Sequence, residues 1–419
     1  MADAPTHLSM AGRYRRPDWV RRLNAMADAV GDPIEGARRL IPLDPDALVA
    51  GALESLGGGS LPDFGDPEWR TRFDALTRAA DGAPFNLLGR LLTRQELLRA
   101  LRSRLLLGRS LAADPGIADE SIRAPLIVTG PARSGTTILF ELLALDPSLR
   151  APLAYEALHP VPLTAGGGDD PRIALSECEQ ELWADIQPEF AAIHELRSDL
   201  PVECVTLCAP SFCGAHWAMV TPAPIPMDIS RDYAFHRRIL QGLQRSADAR
   251  TWLLKTPAHL ATLDTLFASY PDAWVIQTHR DPAKTMPSTV STTAMVQWIR
   301  SDHVDVSSLA LAIEMAFGGV LNQVAERRAK GDLPERFVDV HFRNLLDDPV
   351  ASVRAAYAAM QRDFGPEHAE RITRYLAEKP RGKFGVHQYS AADWGFDAAE
   401  LRERLAPYIR HFDVALEDA

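Results

Sequence analysis

A chain of 419 residues, 46% hydrophobic and 24% charged, has enough material for a large core and a second lobe, as one large or two closely packed domains. Its formal charge of −11 argues against a general nucleic-acid binder, which needs a net basic face to displace counterions from phosphates. An anionic small ligand would need a local basic pocket instead.

Met1 to Met10 lacks the basic-then-apolar pattern of a signal peptide, and no stretch of 18 apolar residues is expected anywhere. The expectation is a cytoplasmic chain with no integral membrane segment. From Asp18 to Ala113 apolar residues recur at three- and four-residue spacing, so residues 1–115 read as a helical N-terminal region. Its longest helix is expected from Asn86 to Ala112, where leucines alternate with Arg90, Arg94, Arg99, Arg102, Arg104 and Arg109. Such a stripe could lie on an anionic membrane, but the favoured reading packs the leucines on the core and turns the arginines to water.

The pattern changes at Pro125. Leu126 to Thr129 reads as a short buried strand, followed by a Gly-containing loop and a helix from Thr136 to Leu145. An α/β domain over residues 116–419 is expected to start here. Further strands are expected at Trp252–Lys255, Ala273–Gln277 and Arg336–Val340, separated by helical patterns as a parallel sheet with crossovers requires. Between them, Ala165 to Asp170 reads as a loop. Cys178, Cys204, Cys208 and Cys213 do not have zinc-site spacing and are expected to be buried free thiols.

The segment Gly130-Pro131-Ala132-Arg133-Ser134-Gly135-Thr136-Thr137 is the strongest chemical signal. A loop between a buried strand and a helix N-terminus presents unpaired N–H groups and the positive end of the helix dipole to an anion. Gly130 and Gly135 allow the tight path, Ser134, Thr136 and Thr137 add hydroxyls, and Arg133 adds a planar cation. The frame is that of a nucleoside-triphosphate loop, yet Thr136 stands where that motif has lysine, which counts against phosphoryl transfer.

Pro131 to Thr137 resembles the phosphosulfate-binding loop of sulfotransferases, whose usual core is Lys or Arg followed by Ser-Gly-Thr-Thr. Trp252-Leu253-Leu254-Lys255-Thr256-Pro257 resembles the family's strand and Lys-Thr turn beside the sulfuryl group. Gln277-Thr278-His279-Arg280-Asp281-Pro282, with Ser288 eight residues after Arg280, is similar to the arginine and serine that grip a 3′-phosphate. Val340 to Pro349 resembles a further strand of these enzymes, and Arg381-Gly382-Lys383 with His387 to Gly395 resembles the loop that completes the 3′-phosphate site.

The resemblance implies a three-layer P-loop-like domain with a central parallel sheet. It implies 3′-phosphoadenosine-5′-phosphosulfate as co-substrate, no metal, and a hydroxyl of a small-molecule or lipid-like acceptor, with assembly into a homo-oligomer left open. Arg133 and Lys255 would stabilise charge on the transferring group. Ser134, Gly135, Thr136 and Thr137 would hold the 5′ end, and Arg280, Ser288, Arg381, Gly382 and Lys383 the 3′ end.

For the general base, Glu156 occupies the segment where glutamate-using sulfotransferases place theirs, and desolvation would suit it to proton abstraction. Histidine-using members place the base directly after the Lys-Thr pair, where this chain has Pro257, so His259 is the alternative. His194 is expected on the acceptor side, whereas His216, His236 and His341 read as structural. Phe212, Trp217, Met219, Met227, Met295 and Trp298 suggest an apolar acceptor. A non-catalytic nucleotide-binding protein and a P-loop kinase-like phosphotransferase are the competing readings.

Overall fold

The computed structural model describes residues 9–162, 170–192, 195–245, 250–379 and 390–418. Its centre is a five-stranded parallel sheet in the order β2-β3-β1-β4-β5, with β1 at Leu126–Thr129, β2 at Leu149–Arg150, β3 at Thr251–Lys255, β4 at Trp274–His279 and β5 at Phe337–His341. Four strands fall within a residue or two of their expected positions. The two-residue β2 is too short to give a periodic signal.

β1 is buried on both faces, as a continuous apolar run in a parallel sheet must be. Leu126 and Val128 face one layer with Leu139, Leu142 and Leu143 of the Thr136–Ala144 helix, while Ile127 faces the other with Trp252 and Leu254. Each fully buried leucine contributes about 1.5–3 kcal/mol. The second layer continues into the N-terminal helices: Val20, Leu48, Phe73, Leu97 and Leu101 share its core. The loop between Ala113 and β1 therefore links two regions that are packed on one apolar mass.

The long helix runs from Leu87 to Ala113, with the Asn86 side chain accepting the Gly89 N–H at 2.9 Å. Most of its leucines pack inward as expected, Leu91 being exposed, but two of its arginines do as well. Arg104 is 1% exposed, donates to the carbonyls of Pro62 and Pro210, and lies 5.0–5.5 Å from the rings of Phe64, Trp69, Phe212 and Phe235. Burial lowers its pKa to about 9. Arg90 is equally buried and ion-pairs with Asp81. The correction has a simple cause: a guanidinium satisfied by carbonyls, a carboxylate or aromatic faces need not reach water.

One helix among the described residues, Val306–Lys330, is long and apolar enough to cross a membrane by length and composition, against the expectation of no such stretch. Val306, Ala310, Ile313, Leu321, Val324 and Ala325 belong to the shared core, so this helix packs one face against the rest of the chain.

Among the cysteines, Cys204, Cys208 and Cys213 are buried and free, and burial pushes Cys204 up to about 12 and Cys213 to about 11. Cys178 is free but exposed, against expectation.

Candidate active site

The chain passes from β1 to β2 and β3 on one side, then crosses to β4 and β5 on the other. Loops leaving the C-terminal ends of β1, β3 and β4 therefore meet over one crevice, the usual ligand position in an open parallel sheet. The loop after β1 is held by close approach. Gly130 adopts φ 139°, and a Cβ there would lie 2.3 Å from Thr278 Oγ1 and 2.6 Å from the Thr278 carbonyl. Gly135 adopts φ 92° as the N-cap of the Thr136–Ala144 helix, and a Cβ there would meet the Phe342 ring at 2.9 Å. Arg133 also has positive φ, at 67°, an uncommon conformation for a residue with a side chain.

Not every hydroxyl in this loop faces outward. Ser134 is fully buried, with Oγ bonded to the Pro131 carbonyl at 2.6 Å and to Thr278 Oγ1 at 2.5 Å. Its N–H also donates to the Pro131 carbonyl. Ser134 thus braces the loop from behind. Thr136 is buried and Thr137 exposed, so Thr137 presents its hydroxyl at the mouth. The N–H groups of the first helical turn point the same way.

Thr137 meets β3 there. The Lys255 side chain, 3% exposed, donates from Nζ to Thr137 Oγ1 at 3.0 Å and ion-pairs with Glu203 Oε1. The other carboxylate oxygen of Glu203 accepts from Thr256 Oγ1 at 3.2 Å. Glu203 was not singled out in the sequence. It ends an extended segment that pairs antiparallel with the stretch after β2: Ala154 N–H donates to Leu200 O, Val202 N–H to Pro152 O, and Leu153 bridges Pro201. A glutamate following Pro201-Val202 and opening the Cys204–Cys208 helix is the only local trace, and local pattern carries no sign of a pairing with residues some fifty positions earlier.

On the far side of the loop Arg280 leaves β4. Its Nη1 donates to the Arg133 carbonyl at 2.9 Å, its guanidinium carbon lies 4.0 Å from the Phe342 ring centroid, and Nε and Nη2 hold both oxygens of Glu417 at 2.7 and 2.8 Å. Phe342, read from sequence only as part of a fold motif, is therefore the plate on which Arg280 lies. Ser288 sits two turns into the Pro282–Arg300 helix, fully buried, with its hydroxyl unpartnered. A buried hydroxyl without a partner is a donor left to be satisfied. Arg381, Gly382 and Lys383, like His194 and His387, lie outside the described residues.

The side chains of the two base candidates are both engaged by neighbours. Glu156 is 9% exposed in its side chain; Oε1 accepts from Arg150 Nη2 at 2.8 Å and Oε2 from the Leu153 N–H at 3.0 Å. Arg150 is itself fixed by the Leu243 carbonyl and the Trp252 ring, so the structure spends this carboxylate on its own helix start. His259 is buried, with Nδ1 bonded to the Tyr233 hydroxyl and Nε2 unpartnered; burial pushes it down to about 3. An imidazole so weakly basic does not retain a proton at neutral pH.

Of the apolar residues offered for the acceptor, Phe212, Trp217, Met295 and Trp298 belong to the core, and only Met219 and Met227 are exposed. That correction follows from the N-terminal helices, which cover Phe212 with Trp69 and Phe73. Among the described residues no group of His, Cys, Asp and Glu is arranged to hold a metal ion.

A strand, a glycine-bounded loop and a helix N-terminus flanked by a strand-end lysine and a strand-end arginine define an anion-transfer site on a parallel sheet. The model of the sulfotransferase family matches residues 125–366, more than half of the chain, and the chain belongs to that family. The omega-hydroxy-beta-dihydromenaquinone-9 sulfotransferase Stf3 of Mycobacterium bovis is 24% identical over 300 residues, 69% of this chain and 74% of that protein; Stf3 of Mycobacterium tuberculosis gives the same figures. Among solved structures, sulfotransferase STF9 of Mycobacterium avium superposes with a TM-score of 0.78 at 25% identity, covering 89% of this chain and 98% of that one. STF1 of Mycobacterium tuberculosis H37Rv does so at 0.71 and 28%, covering 86% and 98%. The protein is a transferase of the sulfuryl group.

Proposed function

We propose that the protein moves the sulfuryl group of 3′-phosphoadenosine-5′-phosphosulfate to a hydroxyl of a lipid-like or other small apolar acceptor. The observation that carries this reading is the pair of cationic stations on one loop: Lys255 with Thr137 at its helix end, and Arg280 on the carbonyl of Arg133. A ligand anionic at both its 5′ and 3′ ends matches two stations; one with a single phosphate chain matches one.

In this reading the N–H groups of Gly135 to Thr137 and the Thr137 hydroxyl receive the 5′-phosphosulfate, while Lys255 and Arg133 stabilise charge that develops on the sulfuryl and phosphate oxygens. Arg280, with Ser288 and the segment Arg381 to Lys383, receives the 3′-phosphate. Transfer needs in-line approach and loss of the acceptor proton, with no metal. Support for a lipid-like acceptor comes from the hydroxylated menaquinone derivative in the name of Stf3 and from exposed Met219 and Met227. We place the enzyme in the cytoplasm, where buried free thiols such as Cys204 and Cys208 stay reduced.

The test is calorimetric titration with 3′-phosphoadenosine-5′-phosphate in a chelating buffer. Binding without Mg²⁺, weakened about 10- to 150-fold by Arg280→Ala, is expected for loss of a charged hydrogen-bonding partner. Preferential, Mg²⁺-dependent binding of ATP would overturn the reading in favour of phosphoryl transfer.

A further inference from the structure

We propose that Glu203 is the catalytic residue that takes the acceptor's proton, and that it is released for this task when Lys255 exchanges it for the donor. The proposal rests on the donor reading above. Three observations carry it.

Glu203 is the carboxylate in contact with the strand-end lysine, through Oε1 to Lys255 Nζ, and that lysine is also 3.0 Å from Thr137 at the helix end of the anion loop. It is thus one side chain removed from the place where a sulfuryl group would sit. Its side chain is 25% exposed, whereas that of Lys255 is 3% exposed, so the carboxylate faces the open mouth and the ammonium lies behind it. Its backbone is fixed by pairing with residues 152–154 and by the helix that begins at Cys204. A base on a fixed element holds its geometry better than one on a loop.

The partners distinguish Glu203 from Glu156. Glu156 is held by an arginine with its own fixed carbonyl and aromatic contacts and by a backbone N–H, and an arriving anion competes for neither. Among the groups that hold Glu203 is a lysine, a point charge on a rotatable stem. A phosphosulfate at Thr137 attracts the same ammonium. When Lys255 turns toward it, Oε1 gives up that ammonium, and a carboxylate relieved of a neighbouring cation is the stronger base.

The step then balances. The acceptor O–H gives its proton to Glu203, the acceptor oxygen forms the new O–S bond, and the S–O bond to the 5′-phosphate breaks with its electron pair leaving on the phosphate. Lys255 faces that leaving oxygen. Glu203, open to the mouth, passes the proton to water.

The experiment compares the parent protein with Glu203→Gln and Glu203→Asp. One measurement is the affinity for 3′-phosphoadenosine-5′-phosphate; the other is single-turnover transfer of labelled sulfate from the donor to farnesol, with slow sulfate release to water read where the alcohol is not accepted. Glu203→Gln is expected to lower turnover by about 10²- to 10⁴-fold. Nucleotide affinity should stay level or tighten, since a competing carboxylate has gone, and Glu203→Asp should recover part of the rate. The proposal is overturned if Glu203→Gln turns over within about threefold of the parent, or if its nucleotide affinity falls in step with its rate, which would mark Glu203 as a mere prop for Lys255. A parent protein that does not bind the nucleotide at all would instead sink the donor reading.

Discussion

The two ends of the anion crevice solve one problem with different cations. At one end Lys255 touches Thr137 and one oxygen of Glu203; at the other Arg280 holds both oxygens of Glu417, donates to the Arg133 carbonyl and lies on Phe342. An ammonium on a flexible stem can change partners at little geometric cost, whereas a planar fork fixed on three sides stays where it is. Under the proposed function the lysine end would follow charge as it moves, and the arginine end would hold charge that does not.

The largest effect should separate these roles. Lys255→Ala is expected to lower single-turnover sulfuryl transfer by about 10²- to 10³-fold while changing nucleotide affinity far less, because a group aimed at developing charge acts mainly on the transition state. Arg280→Ala should do the reverse. Quench-flow and calorimetry on the two variants decide it, and equal losses of rate and affinity in both would erase the distinction.

Next in size is an acid sensitivity placed directly behind the lysine end. His259 lies in the turn Pro257–Thr262 that follows Lys255 and Thr256, with His236 nearby; burial pushes them down to about 3 and about 4. The unfolded chain takes up protons at these rings below about pH 6.5, before the folded chain does. Their contribution is therefore complete above that pH and drains away as pH falls toward 4, at up to about 1.4 kcal/mol per unit for each ring.

Asp232, pushed up to about 7 by burial, works in the opposite direction and offsets part of the loss between pH 7 and 4. At the arginine end burial also depresses His279, but Asp339 at 2.9 Å pushes back. Melting temperatures from pH 7 to 4 should fall less steeply for His259→Gln than for the parent. Parallel curves would mean that this ring is not titrating.

Both cations, the loop between them and the sheet beneath were legible in the sequence, because each depends on short-range pattern: a buried apolar run, glycines at a turn, a basic residue at a strand end. Their partners were not. Glu203 reaches Lys255 across 52 residues and Glu417 reaches Arg280 across 137, and no local periodicity registers such pairings. Ser134 illustrates a different limit. A serine in an anion loop reads as a donor, but the close approach of β4 at Thr278 turns its hydroxyl inward. Arg90 and Arg104 were read as water-facing because charge suggests a surface, and their satisfaction by Asp81, carbonyls and aromatic rings is a tertiary fact.

The smallest effect concerns Glu417, which occupies the fork that a 3′-phosphate would use. The Glu417 N–H donates to Asp281 at 2.8 Å and Arg402 reaches the Glu417 carbonyl, so the backbone is tied in place independently of the side chain. Glu417→Gln should therefore leave the segment seated and Arg280 still positioned by the Arg133 carbonyl and Phe342. What changes is the charge the nucleotide must displace. The pair is partly exposed, at 17% and 33%, so its displacement is worth about 1 kcal/mol or less, and affinity for 3′-phosphoadenosine-5′-phosphate should tighten by up to about fivefold. If affinity weakens instead, Glu417 orients Arg280 rather than competing for it, and the arginine end depends on its carboxylate more than the lysine end does.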